Sequence, residues 1–174
     1  MQTSIIALTL LALSLIAPPA AASQSAMAEF EGETLDLAES WGEATACHVA
    51  QEGVTCFRTE AAMDQWLAET RSQDAETGPA PASASCSGNL RLYDGASYSG
   101  TVLNLSTRQT WLNLSAYGFD QRTSSYKVGP CSASFADLAN GGFPRYPSYL
   151  TEAHDQSTSM LSGWNNDVSS VYIH

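Results

Sequence analysis

Lysine is almost missing from this 174-residue chain: Lys127 stands beside six arginines, against 18 acidic residues. A formal net charge of −11 argues against nucleic acid and anionic membranes as partners, because both recruit basic patches. Histidine is sparse and scattered (His48, His154, His174), and the four cysteines contain no CxxC pair, which disfavours a zinc site. HExxH, GxSxG and a Gly-rich phosphate loop are also missing, and with them the signatures of zinc proteases, serine hydrolases and P-loop enzymes. A Cys–His nucleophile is disfavoured where all four cysteines can pair. The adjacent His154 and Asp155 lack a marked nucleophile and read as a surface turn. The chain is expected to be non-enzymatic.

Long apolar runs are confined to the start. Ile5 to Ile16 is followed by Pro18-Pro19 and Ala20-Ala21-Ala22, which reads as a secretory signal over residues 1–22 with cleavage after Ala22. No Lys or Arg precedes the run. A membrane anchor fits less well, since a span needs roughly 18 to 20 apolar residues. The expectation is a secreted, extracellular chain with no membrane association after cleavage. Four cysteines suit that oxidising setting. They allow three pairings, of which the spacing favours Cys47–Cys56 across a hairpin at Gln51-Glu52-Gly53, leaving Cys86–Cys131.

Charge divides the remaining chain. Residues 23–85 hold twelve acids against Arg58 and Arg71, whereas residues 86–174 hold six acids against five bases. Residues 23–71 read as a small acidic ββα module. Its strands lie around Cys47 and Cys56, and its helix is capped by Thr59 with Met63, Trp66 and Leu67 on one face. His48 has no catalytic neighbour in sequence and reads as structural or exposed. Residues 72–85, rich in Ser, Ala, Pro and Gly, read as a flexible linker. From Cys86 onward, short alternating runs such as Leu90–Tyr93 and Val102–Leu105 recur between turn residues, the pattern of an antiparallel sandwich. Two sequons, at Asn104 and Asn113, fall in such runs.

Two related hexads stand 45 residues apart, Asp120-Gln121-Arg122-Thr123-Ser124-Ser125 and Asn165-Asn166-Asp167-Val168-Ser169-Ser170. Each runs into an alternating strand, which points to two copies of one unit. Tyr93-Asp94-Gly95-Ala96-Ser97-Tyr98-Ser99-Gly100 supplies an aromatic, four residues, an aromatic, one residue and Gly. With the hexads, it makes residues 86–174 resemble the βγ-crystallin family. The second hexad matches that family's calcium motif at every position; the first departs from it at Gln121. The aromatic–glycine signature is displaced in the second copy, around Phe135 to Phe143.

The resemblance implies an all-β fold, a β-sandwich of two Greek-key motifs, in residues 86–174. It further implies that calcium ions bind weakly with oxygens from both repeats: the carbonyls of Arg122 and Asp167, and the side chains of Gln121, Ser124, Asn166 and Ser169. Loop backbone near Asp94 and Asn140 would complete such a shell. The competing reading is that the hexads form turns and the Ser-Ser pairs pin hairpins. The run Trp111–Ser115, followed by Tyr117–Asp120, is also similar to a family of secreted metalloprotease inhibitors of crystallin-like fold. That likeness implies an extracellular protease as partner, with residues 141–147 as the candidate contact loop. An antimicrobial or cell-surface role is a third possibility on the same fold.

Overall fold

The computed structural model describes residues 25–77, 86 and 89–174, so the expected signal segment lies outside the described residues. Twelve strands and one helix are seen among them. Four strands precede the helix: β1 (Met27–Phe30), β2 (Glu33–Asp36), β3 (Ala46–Ala50) and β4 (Gly53–Phe57). After α1 (Glu60–Thr77) come β5 (Leu90–Tyr93), β6 (Val102–Leu105), β7 (Trp111–Asn113) and β8 (Ser125–Val128). The last four are β9 (Ala133–Leu138), β10 (Gly142–Thr151), β11 (Gln156–Ser157) and β12 (Ser170–Ile173).

Strands β5–β8 and β9–β12 form two Greek keys that exchange their third strands. One sheet contains β11-β8-β5-β6 and the other is β10-β9-β12-β7. In each repeat the fourth strand returns to lie beside the first, and the third crosses to the partner repeat's sheet. Alternate residues face inward: Leu90, Leu92, Leu103 and Leu105 from one sheet meet Phe135, Val171 and Ile173 from the other. The expected sandwich of two Greek keys is the fold of this region.

The acidic segment is not the separate module that its composition suggested. β3 pairs in parallel with β6, and β4, β1 and β2 extend the same sheet to eight strands. Phe30, Leu37 and Trp41 share one core with the Greek-key residues. The β1–β2 hairpin is an addition to the expected ββα unit. Residues 72–77, expected in the linker, are the last turns of α1, and residues 78–85 lie outside the described residues.

Thr59 caps α1 as its position predicted, its hydroxyl accepting the Ala62 amide at 3.1 Å. The helix covers the outer face of the large sheet, where Met63 and Leu67 bury against Ala46, Tyr93 and Val102. Each such buried side chain contributes about 1.5–3 kcal/mol. Arg91 of β5 reaches across to Glu60 (2.6 Å) and Asp64 of the helix, and the Tyr93 hydroxyl donates to Glu60 at 2.7 Å.

One polar row crosses that outer face in register: Thr34, Glu29, Thr55, His48, Asn104, Arg91, Lys127 and Gln156, one residue per strand. At its centre His48 is buried, with Nδ1 2.9 Å from the Asn104 amide and its ring against Trp66. Burial, the largest influence on His48, lowers its pKa, so the neutral imidazole is favoured.

Both disulfides join the cysteines favoured by spacing, Cys47–Cys56 across paired strands and Cys86–Cys131 at the start of the two repeats. Cα–Cα distances are 4.1 and 5.1 Å.

Candidate metal centre

The hexads lie side by side, related by a local twofold. The Gln121 amide donates to the Val168 carbonyl and the Asn166 amide donates to the Thr123 carbonyl, both at 3.0 Å. Gln121 and Asn166 share a left-handed backbone, at φ 53° and 60°. Asn tolerates that region better than most residues, which suits it to this second hexad position. The fifth residues match as well: the Ser124 amide donates to Tyr93 and the Ser169 amide to Ala136.

The final serines perform the hairpin-pinning role. Ser125 Oγ donates to the Gly95 carbonyl at 2.6 Å and accepts the Tyr98 amide. Ser170 Oγ likewise donates to Leu138 at 2.6 Å and accepts the Gly141 amide. These bonds superpose the two hairpins residue by residue. Asp94 corresponds to Asp137, Ser97 to Asn140, and Tyr98 to Gly141; Ser97 and Asn140 both have φ 56°.

The displaced aromatic signature of the second copy now has a physical account. In the first repeat Tyr98 packs edge-on against Tyr93, with centroids 5.7 Å apart, and Gly100 turns the chain at φ 81°. In the second, Gly141 stands in the tyrosine's place and Trp111 of the other repeat lies over it. A Cβ on Gly141 would come within 2.2 Å of the Trp111 ring.

Of the expected ligands, one pair from the two hexads is in direct contact. Ser124 Oγ of the first hexad donates to Asn166 Oδ1 of the second at 3.1 Å. By position in the hexads Gln121 is the counterpart of Asn166 and Ser169 that of Ser124, and the carbonyls of Arg122 and Asp167 occupy equivalent third positions. Asn166 of the second hexad is thus partnered with Ser124 of the first.

Charge separates the two ends. In the first repeat the Arg122 guanidinium donates to Asp94 Oδ2 at 2.7 Å and to the Gly118 carbonyl at 2.7 Å, and it lies 5.2 Å from the Phe119 ring centre. Asp94 Oδ1 accepts the Thr101 amide at 2.6 Å. In the second repeat Asp137 corresponds to Asp94 and Asp167 to Arg122. Among the described residues neither Asp137 nor Asp167 has an ion pair. Where one repeat carries a closed acid–base pair, the other carries two acids.

Sequence reasoning missed this contrast. The signal in the sequence is the third hexad position, Arg122 in one copy and Asp167 in the other, where the side chains differ in charge although the backbone carbonyl is common to both. Among the described residues no three His, Cys, Asp or Glu side chains gather tightly enough to hold a metal by themselves. Carried over by the correspondence of the hexads, the donors at the second end would be the Ser169 hydroxyl, the Gln121 amide oxygen, a hexad carbonyl and the carboxylates of Asp137 and Asp167. Such hard, mostly neutral oxygens fit calcium, which accepts six to eight ligands in loose geometry, and fit zinc or copper poorly.

A cavity of about 550 Å³ lies elsewhere, beside His48, Glu52 and Arg108. His154 and Asp155 occupy an exposed turn, with the His154 amide bonded to the Gly129 carbonyl. The sequon residue Asn104 is fully buried.

No family model matches the chain, and no curated protein matches it. Similar solved structures include a βγ-crystallin from Ciona intestinalis, at 21% identity and a TM-score of 0.43, which covers 50% of this chain and 100% of that one. A βγ-crystallin from an archaeon has 16% identity and a TM-score of 0.41, covering 51% of this chain and 99% of that one. Hahellin, a βγ-crystallin, has 22% identity and a TM-score of 0.38, covering 49% of this chain and 90% of that one.

Proposed function

We propose that this chain is a secreted, non-enzymatic βγ-crystallin-like protein that binds one calcium ion weakly, in a stabilising role. The observation that supports the reading most is the pair of uncompensated acids, Asp137 and Asp167, at positions where the other repeat is neutralised by Asp94 and Arg122. Ser169, Gln121 and the Asp167 carbonyl would hold the ion, with Asp137 nearby. Calcium would supply the positive charge that this end lacks and tie the two hexads together. The affinity expected for so few charged ligands is that of extracellular modules, a Kd on the order of 10⁻⁴ to 10⁻³ M.

Calorimetric titration of the mature protein with calcium tests the reading. One equivalent should bind and the melting temperature should rise with calcium concentration. Ser169→Ala and Asp137→Asn should weaken binding at least tenfold, whereas Asn166→Ala should leave it nearly unchanged. The absence of both heat and a melting shift at about ten times the expected Kd would refute it.

One observation favours a second reading, protease inhibition. Within residues 141–147 the Phe143 ring is 73% exposed. It stands on β10 beside Arg145, whose guanidinium is held by the Gly141 carbonyl and lies against both Phe143 and Trp111. An exposed aromatic stacked with an arginine is the kind of anchor that interfaces use. A thermolysin-like metalloprotease assayed with excess protein should lose turnover, and Phe143→Ala should restore it; unchanged turnover counts against this reading.

A further inference from the structure

We propose that Arg122 is a cation supplied by the protein itself. On this view it takes, in the first repeat, the part that a bound ion takes in the second, and the N-terminal strands hold it in place. The inference rests on the calcium reading and deepens it, because it assigns one metal-dependent and one metal-independent end to the same pair of hexads.

Geometry carries the argument. The guanidinium satisfies Asp94 and the Gly118 carbonyl and rests on Phe119, so its charge is fixed beside the loop that contains Ser124. Its anchor is built by the acidic segment. Trp41 Nε1 donates to the Tyr117 carbonyl at 2.8 Å, and the Ala26 amide donates to the Ala116 carbonyl at 2.8 Å. Gly118 itself, at φ 61°, packs so tightly that a Cβ there would lie 2.2 Å from the Leu37 carbonyl. The Trp41 ring also packs on Phe119, with centroids 5.8 Å apart. Tyr117, Gly118 and Phe119 are thus held from outside the Greek keys, and Arg122 is held from them. A second cation near Ser124 and Asn166 would meet a like charge that cannot swing away without releasing Asp94. At the other end Asp167 replaces the arginine, neither it nor Asp137 has an ion pair among the described residues, and two carboxylates attract a cation instead of excluding one.

Calorimetry with calcium chloride on the full mature chain tests this, with folding checked by circular dichroism. Arg122→Gln should gain one equivalent over the wild type, while Arg122→Lys, which keeps the charge, should gain none. In the reverse graft, Asp167→Arg should abolish the wild-type equivalent and make the melting temperature the same in calcium and in chelator. A wild type that binds nothing would refute the calcium reading and the inference with it, whereas a wild type that binds one equivalent isolates the inference for the arms that follow. Equal stoichiometry in Arg122→Gln and wild type would overturn the inference. So would a gained equivalent in Arg122→Lys, or a melting temperature that still responds to calcium in Asp167→Arg.

Discussion

Thr123 and Val168 occupy the same position in the two hexads, each fully buried, but the Thr123 hydroxyl has no hydrogen-bond partner among the described residues. Val168 lies in the shared core. An unsatisfied buried hydroxyl costs about 1–3 kcal/mol, and valine has nearly the same shape. Thr123→Val is therefore expected to stabilise the fold by about 1 kcal/mol. Urea denaturation measures it; a loss of stability would mean that the hydroxyl has a partner in solution, such as a buried water.

Gly118 is the joint between the N-terminal strands and the first hexad. Its left-handed backbone alone makes alanine unfavourable by about 1–2 kcal/mol, and the Leu37 carbonyl leaves no room for a methyl group. Gly163, at φ 82°, has open space around it and serves as the control. Gly118→Ala should cost distinctly more than Gly163→Ala in matched chemical denaturation. Equal costs would show that the packing against Leu37 contributes nothing.

The two disulfides close loops of different length, with sequence separations of 9 and 45. The chain-entropy model gives about 2.6 kcal/mol for the shorter and about 4 kcal/mol for the longer. Replacing Cys86 and Cys131 together by serine should lower the melting temperature more than replacing Cys47 and Cys56. Cys47, Cys56 and Cys131 are all buried in the core and Cys86 is partly buried, so packing loss adds to both replacements and the comparison is best made with alanine as well as serine.

Burial lowers the pKa of His48, with Glu52 opposing the shift and Arg71 and Arg91 adding to it. The unfolded chain therefore binds a proton more readily than the folded one. Stability should be complete above the unfolded value of about 6.5 and should fall as the pH drops from there through the lower folded value. Denaturation at pH 7.5 and pH 5 should show this loss in the wild type and a smaller one in His48→Gln. An equal loss in both would assign the acid sensitivity to other groups.

Much of the fold was legible because its signals are local. The hexads, the Tyr93 to Gly100 hairpin and the alternating leucines each declare themselves within ten residues. Thr59 and the Met63, Trp66, Leu67 face specified α1 in the same way. The parallel pairing of β3 with β6 was not legible, since it joins residues more than fifty positions apart and rests on no turn. Nor were β1 and β2, whose three acids resemble an ordinary solvated stretch. At the candidate site the residue types were readable but their partnership was not. Only the folded twofold sets Asn166 against Ser124, and only side-chain geometry turns Arg122 from a provider of a carbonyl into the counterion of Asp94.

The parallel pairing of β3 with β6 also changes where this protein can be extended. A Greek-key pair without it would leave β6 as a free sheet edge, with unpaired amides and carbonyls open to a strand of another molecule. Here that edge is taken by the chain's own strands, and the exposed end of the sheet becomes β2, which carries Glu33 and Asp36. Strands meeting edge to edge through β2 would bring like charges together. Two of the twelve acids of the N-terminal segment thus stand where they discourage copies of the protein from zipping into larger sheets.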